Sequence, residues 1–423
     1  MIKRLKPKSE FSRNVLTLMT GTTIAQAIPI AVSPILTRIY TPEDFGVFAL
    51  FVAISALVSV IATGRYEMAT ILPQKDSDAV NIIVLSFLVA CIISLCSLLI
   101  IFVFNTELTK FLNTPEISNW LYFIPLIIFL TGVYQSLNYW LNRKKIYQGL
   151  ATNKVIQSSI TAGSNLGFGF NGFGVSGFIL GSVIGQITAV FLVARIFFKG
   201  NRNFIALVNL KKIIALAKKY KNFPKYNAPH ALMNSASLNM PVFIISYFFS
   251  SGSTGFFTLA NRVLLSPISV FTYSYGQVFL QGLTHNKNKK ENEVQFFNNS
   301  LFKLLRYSFF PFLLLFIFSP SIFGIVFGQT WIVAGEYAQI LVPMLYLTFT
   351  GSILSSVIVV YGQQKKALNI EFVNLGMKFF SLLIGGIAES IELGLMLYTL
   401  SGMCVTGYRI VWYKSIIKEK YEL

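Results

Sequence analysis

Three arginines stand where their neighbours leave little room for charge. Arg38 closes the apolar run 14–37, Arg65 comes late in the next run within GRYEM, and Arg262 lies inside GFFTLANRVLLSP, residues 255–267. A guanidinium stays ionised and offers a planar fork of donors that matches two oxygens of a phosphate or carboxylate. Ionisable groups at membrane depth are costly and usually face a cavity or a partner. The structural alternatives differ for each: an interface anchor for Arg38, a pair with Glu67 or a topology signal for Arg65, and a buried partner for Arg262. Carboxylates near these runs are scarce, Glu67 and Glu371 being the two, with Lys378 two turns beyond Glu371. Such a set suits capture of an anion, with Gln26, Asn138, Asn165, Asn239 and Asn261 supplying amides for a hydroxyl-rich group.

Other chemistry finds little support. Two histidines and three cysteines, Cys91, Cys96 and Cys404, match no metal or redox spacing, and the cysteines read as apolar filler. No cofactor or metal is expected. Gly167, Gly169 and Gly172 imitate a dinucleotide fingerprint, but no strand precedes them, and that context gives the motif its meaning. Asn171-Gly172 reads instead as a tight turn between two spans. No nucleophile, base or carboxylate pair stands at catalytic spacing, so an enzyme is not expected. The formal charge of +19 comes from Lys and Arg scattered between apolar runs rather than gathered on one face, which argues against nucleic acid.

The elements that must position these residues follow from composition. Of 423 residues 54% are hydrophobic and 12% charged, with 40 Phe and a mean hydropathy of +0.64. A soluble domain carries about twice that charge. Runs of roughly 20 apolar residues suffice to cross the hydrocarbon. About twelve are found: 14–37, 45–72, 79–104, 118–141, 153–171, 174–198, 228–250, 255–281, 300–327, 337–361, 366–388 and 391–415. The first reads as a retained span, because no cleavage site follows the basic start. With both ends placed inside, 32 of the 35 Lys and Arg fall on the inner side, Lys154 and Lys378 among them. Only Arg38, Lys110 and Arg262 fall outside. The expected fold is an all-α integral membrane protein of about twelve transmembrane helices.

The halves repeat. Gly46-Val-Phe48-Ala-Leu50 and Gly255-Phe-Phe257-Thr-Leu259 lie 209 residues apart, and Pro125, Thr131-Gly132 and Lys144-Lys145 find counterparts at Pro343, Thr350-Gly351 and Lys365-Lys366. Two six-helix lobes are expected, an N-terminal one at 1–200 and a C-terminal one at 228–423, repeated in parallel. The connection 201–227 is basic, and its middle can form an amphipathic helix on the membrane surface. Gly177, Gly181 and Gly185 form a small-residue ridge for close helix packing. Pro29 and Pro34, five apart in the first span, mark a bend suited to gating.

The stretches TLMTGTTIAQAIPIAVSPILTRIYTPEDFGVFALF, GRYEMATILP and GFFTLANRVLLSP resemble polysaccharide flippases of the MOP (multidrug/oligosaccharidyl-lipid/polysaccharide) superfamily, in particular the O-antigen or repeat-unit flippases. The resemblance covers essentially the whole chain. It implies a protein of the bacterial cytoplasmic (inner) membrane, both termini cytoplasmic, that moves undecaprenyl-pyrophosphate-linked oligosaccharide to the outer leaflet by alternating access. Membrane lipid, a polymerase and chain-length proteins of the same pathway are the partners it implies. In related lipid II flippases arginines of the first, second and eighth helices line a cationic cavity, and Arg38, Arg65 and Arg262 occupy the corresponding places. Glu67, Gln26 and Asn261 complete the expected binding set. A multidrug exporter of the same superfamily would want an acidic cavity, and a membrane-embedded polymerase a large catalytic outer loop.

Overall fold

The computed structural model describes residues 10–200, 204–289 and 292–421; Lys3, Arg4, Lys6, Lys8, Lys290 and the first residues of the 201–227 connection lie outside them. The described chain is helical, with no strand among the described residues. Two compact units divide it, Met1–Phe243 and Ile244–Leu423.

The first unit holds α1 (Glu10–Ile39), α2 (Pro42–Ser59), α3 (Asp76–Phe111), the single turn α4 (Ser118–Leu121), α5 (Ile124–Arg143), α6 (Tyr147–Phe170), α7 (Val175–Gly200) and the short α8 (Leu210–Lys219). The helix α9 (Ala228–Phe248) crosses the division between the units. The second unit continues with α10 (Ser251–Lys289), α11 (Glu293–Phe327), α12 (Ile332–Leu354), the short α13 (Ser356–Val360), α14 (Gln364–Ile387) and α15 (Ile391–Tyr421). Each of the twelve expected runs overlaps at least one helix, though not over its whole length. Among the described residues nine helical stretches are long and apolar enough to cross a membrane. α6, α9 and α15 are long enough, but polar and charged residues dilute their apolar character.

Several boundaries differ from expectation for local reasons. The second run, 45–72, is helical only to Ser59; turns and a 3-10 segment, Tyr66–Ile71, follow it. Its start is sharp: the Thr41 hydroxyl accepts from the Asp44 N–H, the Asp44 carboxylate accepts from the Thr41 N–H, and Pro42 takes the first helical position. α6 begins at Tyr147, ahead of the expected 153, which brings Lys154 into the helix. The three cysteines are exposed on α3 and α15 and fill no core.

Packing within the units follows one plan. In the first, α3 packs on α5, α5 on α7, α2 on α5, and α6 on α7. In the second, α11 packs on α12, α12 on α15, α10 on α12, and α14 on α15. Counting the long helices of each half in order, these are the same four pairs, whereas the close packing of α1 on α6 has no comparable counterpart of α9 on α14 among the described residues. The glycine ridge of α7 does what its spacing suggested. A Cβ at Gly177 would meet Tyr40 and Phe168, one at Gly181 would meet Asn165, and one at Gly185 would meet Thr161. α8 docks through Ile213 and Leu216, leaving Leu210, Ile214 and its lysines outward.

Candidate functional site

Arg38 is placed by the junction of α1 with α2. Two residues on, Tyr40 is buried, stacks on Phe178 at 3.9 Å between ring centroids and donates to the Asn165 carbonyl at 2.6 Å. This lock fixes the last turn of α1. The Arg38 side chain is exposed and lays one nitrogen against its own Pro34 carbonyl at 2.7 Å.

Arg65 lies beyond the end of α2, in a turn of unusual backbone. Gly64 and Arg65 have φ of 59° and 63°, two consecutive left-handed residues. That conformation suits glycine and costs an arginine roughly 1–2 kcal/mol. The surroundings hold it there. Arg65 Nη1 lies 3.6 Å from Glu67 Oε1, and the Thr63 hydroxyl donates to the other oxygen of Glu67. Glu67 is fully buried. Its segment lies between the spans of α2 and α3, and there burial pushes its carboxyl above the usual carboxylate range, against the pull of Thr63 and Arg65. The Tyr66 hydroxyl donates to the Ala217 carbonyl of α8 at 3.2 Å.

Arg143, at the end of α5, clamps the segment that follows. Its guanidinium donates to the carbonyls of Thr70, Ile71, Pro73 and Gln74 and to the Asp76 carboxylate, all within 2.5–3.3 Å. Lys144 also reaches Asp76, at 2.5 Å. One half-buried fork thus ties the segment carrying Arg65 and Glu67 to α5. In the sequence Arg143 is simply one of the 32 Lys and Arg on the inner side.

Arg262 is the outlier. It sits eleven residues past Ser251, about 16 Å along α10. Its side chain is exposed, and among the described residues no carboxylate or hydrogen-bond acceptor meets its guanidinium. Asn261 beside it is half-buried. Gln26 is exposed on α1, one turn beyond Thr22.

The expected residues are therefore brought together only in part. Arg65 and Glu67 form a pair, and Arg262 and Asn261 are neighbours on one helix. Arg38 and Arg65 stand at opposite ends of α2, separated by its 18 residues, about 27 Å. One phosphate cannot touch both at once. Several cations counted with the inner connections, Lys154 and Lys378 among them, lie within helices. Lys154 is seven residues into α6 and donates to the Thr22 hydroxyl of α1 at 3.2 Å. Lys378 is fourteen residues into α14, with its ammonium 4.7 Å from the centre of the Tyr398 ring. The second carboxylate, Glu371, is already engaged by Arg409 and by Asn374, the latter at 3.2 Å. This pair borders a cleft of about 250 Å³ whose walls include Thr348, Ser352, Thr406 and Trp412.

Solved transporters share this architecture. An inward-facing multidrug resistance MATE family transporter of the MOP superfamily is 14% identical, with 93% of this chain and 95% of that one aligned at a TM-score of 0.65. A MOP superfamily transporter from Pyrococcus furiosus, described as having a binding pocket of reversed polarity, is 12% identical over 96% and 95%, with a TM-score of 0.59. At such identity the likeness establishes the fold, that of MOP superfamily transporters. Among curated protein sequences none matches significantly. The model of one sequence family, described as polysaccharide biosynthesis protein, matches residues 35–336, a span running from the end of α1, through Arg38, Arg65 and Arg262, into α12. This multi-pass membrane protein, built on the MOP transporter fold, therefore belongs to the polysaccharide biosynthesis protein family.

Proposed function

We propose that this protein is a flippase that carries oligosaccharide repeat units, linked through pyrophosphate to undecaprenol, from the cytoplasmic to the outer leaflet of the bacterial inner membrane. The observation that carries the reading is Arg262, an ionised group on a transmembrane helix with no partner among the described residues. Leaving such a charge uncompensated costs several kcal/mol or more, and a functional anion is the usual reason for it. A pyrophosphate supplies that anion, and the family supplies the pathway.

The transport step follows from where the cations stand. The diphosphate cannot enter hydrocarbon bare, whereas the prenyl tail stays in lipid throughout. Guanidinium forks replace its hydration, Arg65 serving at the inner end of α2 and Arg38 at the outer end, in succession rather than together. Access to this path alternates between the two faces of the membrane, with Gln26 and Asn261 available to sugar hydroxyls and Glu67 holding Arg65 in its turn. An inside-negative potential favours outward movement of the anion by about 2.3 kcal/mol per charge per 100 mV. No chemical step on the substrate is required. A cation exporter would instead need a disengaged carboxylate at depth, and both Glu67 and Glu371 are paired.

The test is made in cells that depend on this protein for surface polysaccharide. Arg262→Ala should abolish the polymer while protein levels stay normal, with lipid-linked units accumulating inside. Full surface polymer in that variant would refute the assignment.

A further inference from the structure

One flank of α8 is left open by the fold. Between Glu116 and Glu291 the sequence has no Asp or Glu, and six lysines, Lys211, Lys212, Lys218, Lys219, Lys221 and Lys225, fall in and just after this helix. Among the described residues one carboxylate comes near them, Asp78 at 3.9 Å from Lys212. Ile213 and Leu216 are buried on one face. Leu210 and Ile214 are 68% and 51% exposed, and Leu207 and Val208 just ahead of the helix are exposed as well. At 3.6 residues per turn, Leu210, Ile214, Lys218 and Lys211 succeed one another around about 100° of the helix surface. That flank is an apolar strip edged by two ammonium groups, the pattern of a helix lying in a membrane interface. Lys212 and Lys219 lie on the other side.

The level of α8 fits such a surface. The Asn81 amide donates to the Leu207 carbonyl at 2.9 Å, and its oxygen accepts from the Asn209 N–H at 2.8 Å. Leu216 packs with Ile82. Asn81 and Ile82 belong to the second turn of α3. The 36 residues of α3 extend about 54 Å against about 30 Å of hydrocarbon, so its end turns reach the headgroup layers. Beyond α8, Tyr226 is exposed with Lys225 over its ring at 5.0 Å, and tyrosine is an aromatic that anchors at the interface. α8 is also joined to the segment of Arg65: the Tyr66 hydroxyl donates to the Ala217 carbonyl, and Tyr220 and Phe223 pack with Ala69.

We propose that this flank of α8 docks on anionic phospholipid, and that the docking holds residues 64–71 in place. Leu210 and Ile214 enter the interface, and Lys211 and Lys218 meet the lipid phosphates beside it.

The experiment uses the full chain in nanodiscs of phosphatidylcholine alone, or of phosphatidylcholine and phosphatidylglycerol in equal parts, and reads amide hydrogen exchange. In wild type, residues 210–219 should exchange about tenfold or more slowly in the anionic discs, the factor that two lysines at such a surface supply. Residues 64–71 should slow with them. High salt should remove the difference, because exposed charges are screened. Lys211→Gln with Lys218→Gln should exchange alike in both discs, and Lys211→Arg with Lys218→Arg should keep the difference. Tyr66→Phe should keep the lipid effect on α8 and lose most of it at 64–71. Equal exchange of wild type in the two discs would overturn the docking, as would a difference that survives high salt or the paired Gln substitutions. An undiminished effect on 64–71 in Tyr66→Phe would overturn the coupling. The thermal midpoint of the paired Gln variant in neutral discs should match wild type; a large drop would mark the lysines as structural and also overturn the inference. None of these outcomes depends on what the protein carries.

Discussion

At the residue scale the three arginines differ in what already satisfies them. Arg65 has Glu67, and Glu67 is buried with Thr63 as its second partner. Removing the arginine leaves the buried carboxylate without its cation, at a typical cost of about 3–5 kcal/mol. Arg65→Ala should therefore lower the thermal midpoint in detergent by several degrees; an unchanged midpoint would contradict the structural weight given to the pair. Among the described residues Arg262 has no such partner, so its removal should cost little stability and most of the transport. Arg262→Lys keeps the charge but loses the bidentate fork, and should restore surface polysaccharide only in part. Full restoration would mean that charge alone matters there.

At the element scale the clamp of Arg143 and the ridge of α7 each make a prediction. Arg143 gathers four carbonyls and one carboxylate of the segment after Arg65. Arg143→Ala should expose residues 70–76 to limited proteolysis and reduce transport without changing the charge of the path. Resistance equal to wild type would refute the clamp. Gly181 packs against Asn165, while the space beside Gly376 is open. Gly181→Val should thus force α6 from α7 and lower the thermal midpoint, and Gly376→Ala should not. The helices themselves were legible, because runs of apolar residues long enough to span a membrane admit few other structures. What lay within them was less so. Asn153, Lys154, Gln157, Ser158 and Asn165 dilute α6, so its start was read six residues late and Lys154 was assigned to a connection. Lys378 was misplaced for a related reason: nearness in sequence to an inner connection says nothing of depth until the helix start is known. The turn at Gly64 and Arg65 left no trace beyond the glycine, since its left-handed backbone depends on Thr63, Glu67 and Arg143, distant or unremarkable in the sequence.

At the scale of the whole molecule, the doubled arrangement was visible in motif offsets and returns in the packing pairs of each unit. Both observations rest on the same cause. An even number of spans per repeat returns the chain to its starting side, so the second repeat meets the same packing problem in the same order. The ends-inside arrangement is checked in a variant lacking Cys91, Cys96 and Cys404. A thiol introduced by Gly172→Cys should react with an impermeant maleimide added outside intact cells, and one introduced by Gln363→Cys only after permeabilisation. The reverse pattern would invert the topology and with it the direction of transport.

The central claim is that the unpartnered guanidinium of α10 carries a lipid-linked anion across the bilayer. Its most direct test is vesicles containing the purified protein and undecaprenyl-pyrophosphate-linked oligosaccharide loaded in one leaflet, with arrival in the other read by an impermeant lectin. Wild-type protein should carry the sugar across far faster than protein-free vesicles, and Arg262→Ala should fall to the protein-free rate. Equal rates with and without wild-type protein, or undiminished transport by Arg262→Ala, would contradict the account.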